Sequence, residues 1–186
     1  MNQRLFIAIN LDDLLKKQLS IILEDFKKEE SSVKWVEAHN LHITLKFLGD
    51  TPEEKIIHIK RALKDINYQS FSLKLKDPGC FPNTKQPRVV WLGISEGKDD
   101  LLKLNTEVEN SLEKQGFPTE NKDFKCHITL GRVKKFKKIY AFEKFLKKIE
   151  GKDFIEQKIE HIDLMKSNLY PTGPVYEILE QYLLKK

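Results

Sequence analysis

Apolar positions change period several times along this chain, and each change marks an element. Leu5, Phe6, Ile7, Ala8 and Ile9 form a continuous run that predicts a buried strand over Arg4–Asn10. Asp12 and Asp13 can cap a following helix, in which Leu15, Leu19, Ile22 and Phe26 recur at helical spacing. Val33 to Val36 predicts a short strand carrying Trp35, and Leu41 to Leu48 a longer one ended by Gly49-Asp50. Thr51-Pro52-Glu53-Glu54 reads as a helix start, with Thr51 as cap, Pro52 in the first helical position and Glu54 closing a capping box. Ile56, Ile59, Leu63 and Ile66 supply that helix with its buried stripe.

Phe71, Leu73 and Leu75 alternate as a half-buried strand. Pro78, Gly79, Pro82 and Pro87 then make residues 77–87 the longest expected loop. A strand follows over Arg88–Ile94. Next comes a helix over Asp99–Gln115, with Leu101, Leu104, Val108 and Leu112 on one side and a stop at Gly116. Phe124–Val133 reads as a strand, and Phe142, Phe145, Leu146 and Ile149 mark a short helix ended by Gly151. A strand over Ile159–Lys166 and a turn at Pro171-Thr172-Gly173-Pro174 lead to the last strand, over Val175–Tyr182. This order predicts an α+β chain with mostly antiparallel sheets.

One pattern repeats letter for letter. His42-Ile43-Thr44-Leu45 recurs as His127-Ile128-Thr129-Leu130, one copy in each half of the chain, and each copy holds one of only five histidines. Ile and Thr favour extended backbone, so both copies read as strand. Alternation puts His42 with Thr44, and His127 with Thr129, on one face; the apolar partners anchor the other. The repeat predicts an internal duplication with pseudo-twofold symmetry. No low-complexity linker divides the halves, so residues 1–186 are expected to form a single domain of two intertwined lobes.

The 186 residues are 40% hydrophobic and 33% charged, an ordinary globular balance with enough length to bury a core. A formal net charge of +5 tilts the chain towards anionic partners such as RNA, nucleotides or phosphate. Cys80 and Cys126 lack the spacing of a disulfide framework or a zinc ribbon. The first apolar run is too short for a signal peptide, and no stretch reaches transmembrane length. The expectation is a cytoplasmic, monomeric protein without membrane association.

Two imidazoles opposed across a cleft suit in-line attack of water on a phosphodiester. One can take the proton of the water while the other protonates the departing oxygen, since their ordinary pKa lies near working pH. Each threonine hydroxyl can donate to a non-bridging phosphate oxygen. By alternation Lys46 continues the His42/Thr44 face, and a bulge at Gly131 would bring Arg132 round to the phosphate. The histidines lack the helical pairing or clustered carboxylates of a metal site, so neither metal nor cofactor is expected.

These residues and their flanks resemble the 2H phosphoesterase superfamily, named for its paired His-x-Thr motifs. Within it, the chain is similar to the bacterial and archaeal RNA 2′,3′-cyclic phosphodiesterases, historically called 2′-5′ RNA ligases. The resemblance runs nearly end to end: Arg4 to Ile9, Trp35-Val36, Leu41 to Gly49, Val90 to Gly93, His127 to Arg132, and Ser167 through Tyr176. It implies a bilobed, pseudo-twofold α+β fold, with two mostly antiparallel sheets flanking a central cleft and helices outside. It implies metal-independent hydrolysis of RNA terminal 2′,3′-cyclic phosphate, or of small cyclic nucleotides, to a 2′-phosphate. On that precedent His42 protonates the departing 3′ oxygen, His127 activates water, and Thr44, Thr129 and Arg132 hold the phosphate. Cys126 stands where the family usually has proline. Reversible 2′-5′ ligation at cyclic ends, or a catalytically idle nucleotide- or RNA-binding module, are the alternatives.

The remaining candidates are open to two readings. Trp91 and Phe81, like Tyr170 and Tyr176, could stack on a terminal base or simply pack. His58 is expected on a helix surface, His39 in a turn and His161 on a strand. Cys126 lies on the strand face away from His127, so a thiol nucleophile is not expected. The lysine run at 134–138 could follow an RNA backbone.

Overall fold

The N-terminal apolar run forms the strand β1 (Asn2–Asn10) in a computed structural model of the chain, which describes residues 1–29, 33–120, 123–134, 139–171 and 173–186. Asp12 caps the helix α1 (Asp13–Glu29), its Oδ1 accepting from the Leu15 N–H at 2.7 Å. There follow β2 (Val33–Trp35), a 3₁₀ turn at Ala38–Asn40, β3 (His42–Pro52), α2 (Glu53–Lys64), β4 (Phe71–Phe81) and β5 (Val89–Glu96). The chain continues through α3 (Lys98–Glu113), β6 (His127–Val133), α4 (Ile139–Ile149), β7 (Gln157–Ile159), β8 (His161–Tyr170) and β9 (Gly173–Leu183). Residues 135–138 of the lysine run, the Phe142 side chain and Thr172 of the expected turn lie outside the described residues.

The strands form two sheets, ordered β3-β1-β8-β9 and β2-β6-β5-β4-β7. Each sheet takes strands from both halves of the sequence, because β8 and β9 join β1 and β3 while β4 joins β5 and β6. Every pairing between named strands is antiparallel. The fold is the expected α+β arrangement of two sheets with helices outside. Helices α2 and α3 pack together against β3, joined by a Ser111 hydroxyl donating to the Ala62 carbonyl at 2.8 Å. Helix α1 packs beside β2 and α4 beside β4, with the Phe26 and Phe145 rings 4.5 Å apart. Leu5, Ile7 and Ile9 point into this main core, while Phe6 and Ala8 meet Met165 and Tyr176 on the other face of β1. Burying such an aliphatic side chain stabilises the fold by about 1.5–3 kcal/mol.

Several boundaries differ from expectation. Thr51 is not a helix cap: β3 stays paired with β1 through Thr51 and Pro52, and the Thr51 hydroxyl donates to the Gly49 carbonyl at 3.2 Å. The expected loop at 77–87 is strand as far as Phe81, paired with β5 through Pro78, Gly79 and Cys80. Pro78 is tolerated because β4 has β7 on its second side only at Phe71–Leu73, so no partner there needs an N–H from residue 78. Asp77 absorbs the break, with φ of 50° at a register shift. Strand β6 starts at His127 rather than Phe124, and the expected strand at 159–166 divides into β7 and β8.

The largest departure lies in the two repeat strands. Ala8 pairs with Thr44 and Ile7 with Lys46, which leaves Leu45 as an extra residue. Likewise Trp91 pairs with Thr129 and Val90 with Gly131, which leaves Leu130 extra. Each copy of the motif therefore ends in a β-bulge at its leucine, and the bulge expected at Gly131 sits one residue earlier. A bulge reverses the facing of the residues after it. Lys46 consequently turns into the protein, 2% exposed, where its ammonium pairs with Glu109 and donates to the Pro118 carbonyl at 2.8 Å. The expectation that Lys46 contacts substrate is thus overturned, and Phe47 takes the cleft-facing place instead, 63% exposed. In β6 the same reversal buries Gly131 and exposes Arg132. Gly131 is required there, since a Cβ would lie 2.7 Å from Val33 Cγ1.

The carbonyls of both bulges are satisfied. Leu45 accepts from Asn105 Nδ2 at 2.7 Å, and Leu130 from the Val36 N–H at 2.8 Å. Asn105→Ala removes the first donor from a buried carbonyl and should cost about 1–3 kcal/mol. Urea unfolding measures this, and a loss no larger than that of the exposed neighbour Thr106→Ala would show that the bulge does not depend on it.

Candidate functional site

Strand β3 carries His42 and Thr44, and β6 carries His127 and Thr129, all four partly buried on the faces away from the main core. His42, Thr44, Thr129 and Arg132 line one cavity of about 280 Å³ between the sheets. Arg4, Phe6, Phe47, Ser167 and Tyr176 complete much of its wall. His127, two residues before Thr129 on β6, does not line this cavity, yet it is close enough that its charge opposes protonation of His42.

The two imidazoles are held alike. Nδ1 of His42 lies 2.7 Å from the Asn40 carbonyl, and Nδ1 of His127 lies 2.6 Å from the Lys125 carbonyl. A carbonyl can only accept, so in each ring Nδ1 carries a proton and Nε2 is left for acid–base work. Nε2 of His42 meets the Thr44 hydroxyl at 2.9 Å. Aromatic rings fix the remaining freedom. His42 packs on Phe6, centroids 5.1 Å apart, and edge-on to Tyr176 at 5.2 Å. His127 packs edge-on to Phe81 at 5.1 Å, with Trp91 at 6.3 Å.

This packing sets the electrostatics. Burial removes water from both rings and lowers their pKa values below the ordinary 6.5. The carbonyl bonds work against that shift, while Lys16 and His127 reinforce it at His42, and Arg132 reinforces it at His127. Both rings are therefore neutral bases in the free enzyme at neutral pH. Arg132 is exposed and has no ion-pair partner among the described residues. Tyr176 is near enough to Arg132 and Arg4 for their charges to act on its hydroxyl.

The other sequence candidates divide clearly. Trp91 packs so closely over Gly79 that a Cβ there would lie 2.3 Å from the indole, and its buried Nε1 has no partner among the described residues. It shapes the wall behind His127 and does not line the 280 Å³ cavity. Lys46 is on the wrong side of its strand. Phe6 gives no signal in the sequence because it sits in an unbroken apolar run, where period cannot separate a core face from a cleft face. Arg4 and Ser167 carry no pattern beyond their place in the resemblance. His58 is exposed on α2, His39 is exposed in the 3₁₀ turn, and His161 lies 3.7 Å from the buried Asp163. Asp163 is held by Asn10 Nδ2 at 2.7 Å and Gln181 Nε2 at 2.9 Å. Burial raises the pKa of both cysteine thiols, the reverse of nucleophile activation. Among the described residues no group of three or more His, Cys, Asp or Glu side chains could hold a metal ion, and no helix is long and apolar enough to cross a membrane.

The family model of the LigT-like phosphoesterases matches twice, over residues 9–91 and 92–176, one copy per histidine motif. An RNA 2′,3′-cyclic phosphodiesterase of Archaeoglobus fulgidus is 38% identical, over 96% of this chain and 99% of its own. One of Thermotoga maritima is 42% identical, over 95% and 92% respectively. Among solved structures, E. coli LigT complexed with 3′-AMP superposes with a TM-score of 0.79 at 26% identity, covering 100% of both chains.

The tethered Nδ1 atoms generate a spectroscopic expectation. At about pH 8, above both histidine pKa values, ¹⁵N–¹H correlation spectra should show His42 and His127 as Nδ1–H tautomers. An Nε2–H tautomer at either ring would contradict this arrangement.

Proposed function

We propose that this chain, which belongs to the LigT-like phosphoesterase family, hydrolyses the 2′,3′-cyclic phosphate of RNA ends to a 2′-phosphate. The observation that carries the reading is the matched pair of His-x-Thr strands from two sheets, each imidazole tethered at Nδ1 and free to exchange a proton at Nε2. The cyclic phosphate sits between them with its non-bridging oxygens towards Thr44, Thr129 and Arg132. Nε2 of His127 takes a proton from water as the water oxygen bonds to phosphorus, opposite the 3′ oxygen. The P–O3′ bond breaks, and Nε2–H of protonated His42 supplies the proton that the 3′ oxygen needs to leave as a hydroxyl. Water has then added across the bond, and each histidine ends in the state the other role requires.

The site's charges support this division. Arg132 favours the neutral form of His127, as a base requires. The anionic phosphodiester itself supplies the counter-charge that lets His42 hold a second proton, steadied by the Asn40 carbonyl behind it. In the free enzyme the Thr44 hydroxyl donates to Nε2 of His42; once that nitrogen is protonated the hydroxyl is released to the phosphate. The interleaving of strands between the sheets supports treating residues 1–186 as one working unit.

His42→Ala and His127→Ala should each lower kcat on cyclic-ended RNA by about 10²–10⁴. Full activity in either single variant would exclude the two-histidine mechanism. The lowered pKa values also set the pH profile. The rate constant kcat/KM rises as His127 loses its proton and falls as His42 loses its own. Both changes centre below 6.5 in the free enzyme, so kcat/KM should decline above about pH 6.5. Bound phosphate raises both pKa values, so the kcat profile should lie at higher pH. A kcat/KM that stays flat from about pH 6 to 9 would count against this assignment.

A further inference from the structure

A second, larger cavity of about 650 Å³ adjoins the site and shares Val36, Asn40, Arg132, Pro174 and Tyr176 with it. Its own lining adds Lys34 and Trp35 of β2, His39 of the 3₁₀ turn, and Lys27, whose ammonium is 3.0 Å from Glu37. Lys34 is different from Lys27. It is exposed and has no ion-pair partner among the described residues. In the β2–β6 pairing it stands directly opposite Arg132, so the two side chains leave the same face of the sheet. Like charges placed directly opposite on a sheet repel and destabilise it. Here Arg132 lines both cavities and Lys34 the larger one, so anions in the combined space could bridge the pair. Lys34 also reaches across to the other sheet: its Nζ would lie 3.3 Å from a Cβ at Gly173, so the absence of a side chain there makes room for the ammonium.

We propose that the larger cavity is the groove for the RNA strand leading to the cyclic end, with Lys34 binding the backbone phosphate next to the one held by Arg132. The inference rests on the functional reading above and extends it, because it makes a polynucleotide, rather than a cyclic mononucleotide, the preferred substrate. A mononucleotide has a single phosphate, which the histidines and Arg132 occupy. Only a longer strand offers a second phosphate to Lys34. The volume also fits: the site cavity lies at the small end of ligand pockets, about one small ligand in size, while its neighbour has room for more.

The test compares kcat/KM for adenosine 2′,3′-cyclic phosphate with that for a single-stranded RNA of about six nucleotides ending in the same cyclic phosphate. Wild type, Lys34→Ala, Lys34→Glu and Lys34→Arg are measured across a salt series. The preference for the oligomer over the mononucleotide should fall about tenfold in Lys34→Ala, the loss of one charged hydrogen bond, and further in Lys34→Glu. Lys34→Arg should keep the preference. The salt dependence of log kcat/KM for the oligomer should become shallower by about 0.7 in Lys34→Ala, one phosphate contact fewer on a single strand. An unchanged ratio of the two rate constants in both Lys34→Ala and Lys34→Glu overturns the strand groove while leaving cyclic phosphate hydrolysis intact. Absence of wild-type turnover on both substrates overturns the functional reading, and this inference with it.

Discussion

The site depends on the extra residue that ends each histidine motif, Leu45 in β3 and Leu130 in β6. A regular strand would have sent every second side chain after the histidine into the cleft. The bulges let His and Thr face the cleft and then reverse the residues beyond them, so that position +4 turns inward and position +5 outward. In the first copy Lys46 goes inward, where Glu109 and the Pro118 carbonyl neutralise and bond it. In the second copy Gly131 goes inward, because Val33 of β2 leaves no room for a side chain. The outward positions then differ in kind, Phe47 on one wall and Arg132 on the other. A symmetric backbone device thus yields an asymmetric cavity, with the cation beside His127 and an apolar surface beside His42.

Neither bulge stands alone. Each exposes a carbonyl that has left its ladder and must find another donor. Asn105 reaches from α3 to Leu45, and the backbone of Val36 reaches to Leu130. Helix α3 follows β5 of one sheet yet packs on β3 of the other, so the position of His42 is secured by a segment from the opposite half. The exchange of strands between sheets has the same effect. Tyr176 of β9 closes on His42 of β3, and Phe81 of β4 closes on His127 of β6, each ring meeting a histidine from the other half of the sequence.

Those aromatic walls also supply the electrostatics. By excluding water they disfavour a proton on either imidazole, and the carbonyls behind Nδ1 only partly offset the effect. The free enzyme therefore combines two neutral bases with unneutralised cations at the mouth of the cleft. On the proposed reading, an anion entering it would satisfy Arg132 and at the same time restore the basicity of the imidazole it touches. Binding and protonation are coupled by the same low-dielectric surroundings.

Much of this is legible in residue order. Period alone locates the buried stripes of α1, α2 and α3, since Leu15, Ile59 and Leu104 must face a core whatever that core contains. The doubled His-Ile-Thr-Leu identifies both strands and the face that His and Thr share, because alternation over three residues is local. Alternation fails only where pairing intervenes. It misplaces Lys46 and the Gly131 bulge because a bulge is decided by how two strands register, which one strand does not encode. Thr51 and the Pro78 region mislead for the same reason: each looks like a turn in isolation and is held extended by a neighbouring strand. Residue order thus specifies the chemical groups, their spacing and the strands that carry them. Which face each residue after the motif takes, which rings dry the histidines and which cations stay unpaired are settled only in the folded chain, because those outcomes arise from contacts between segments far apart in sequence.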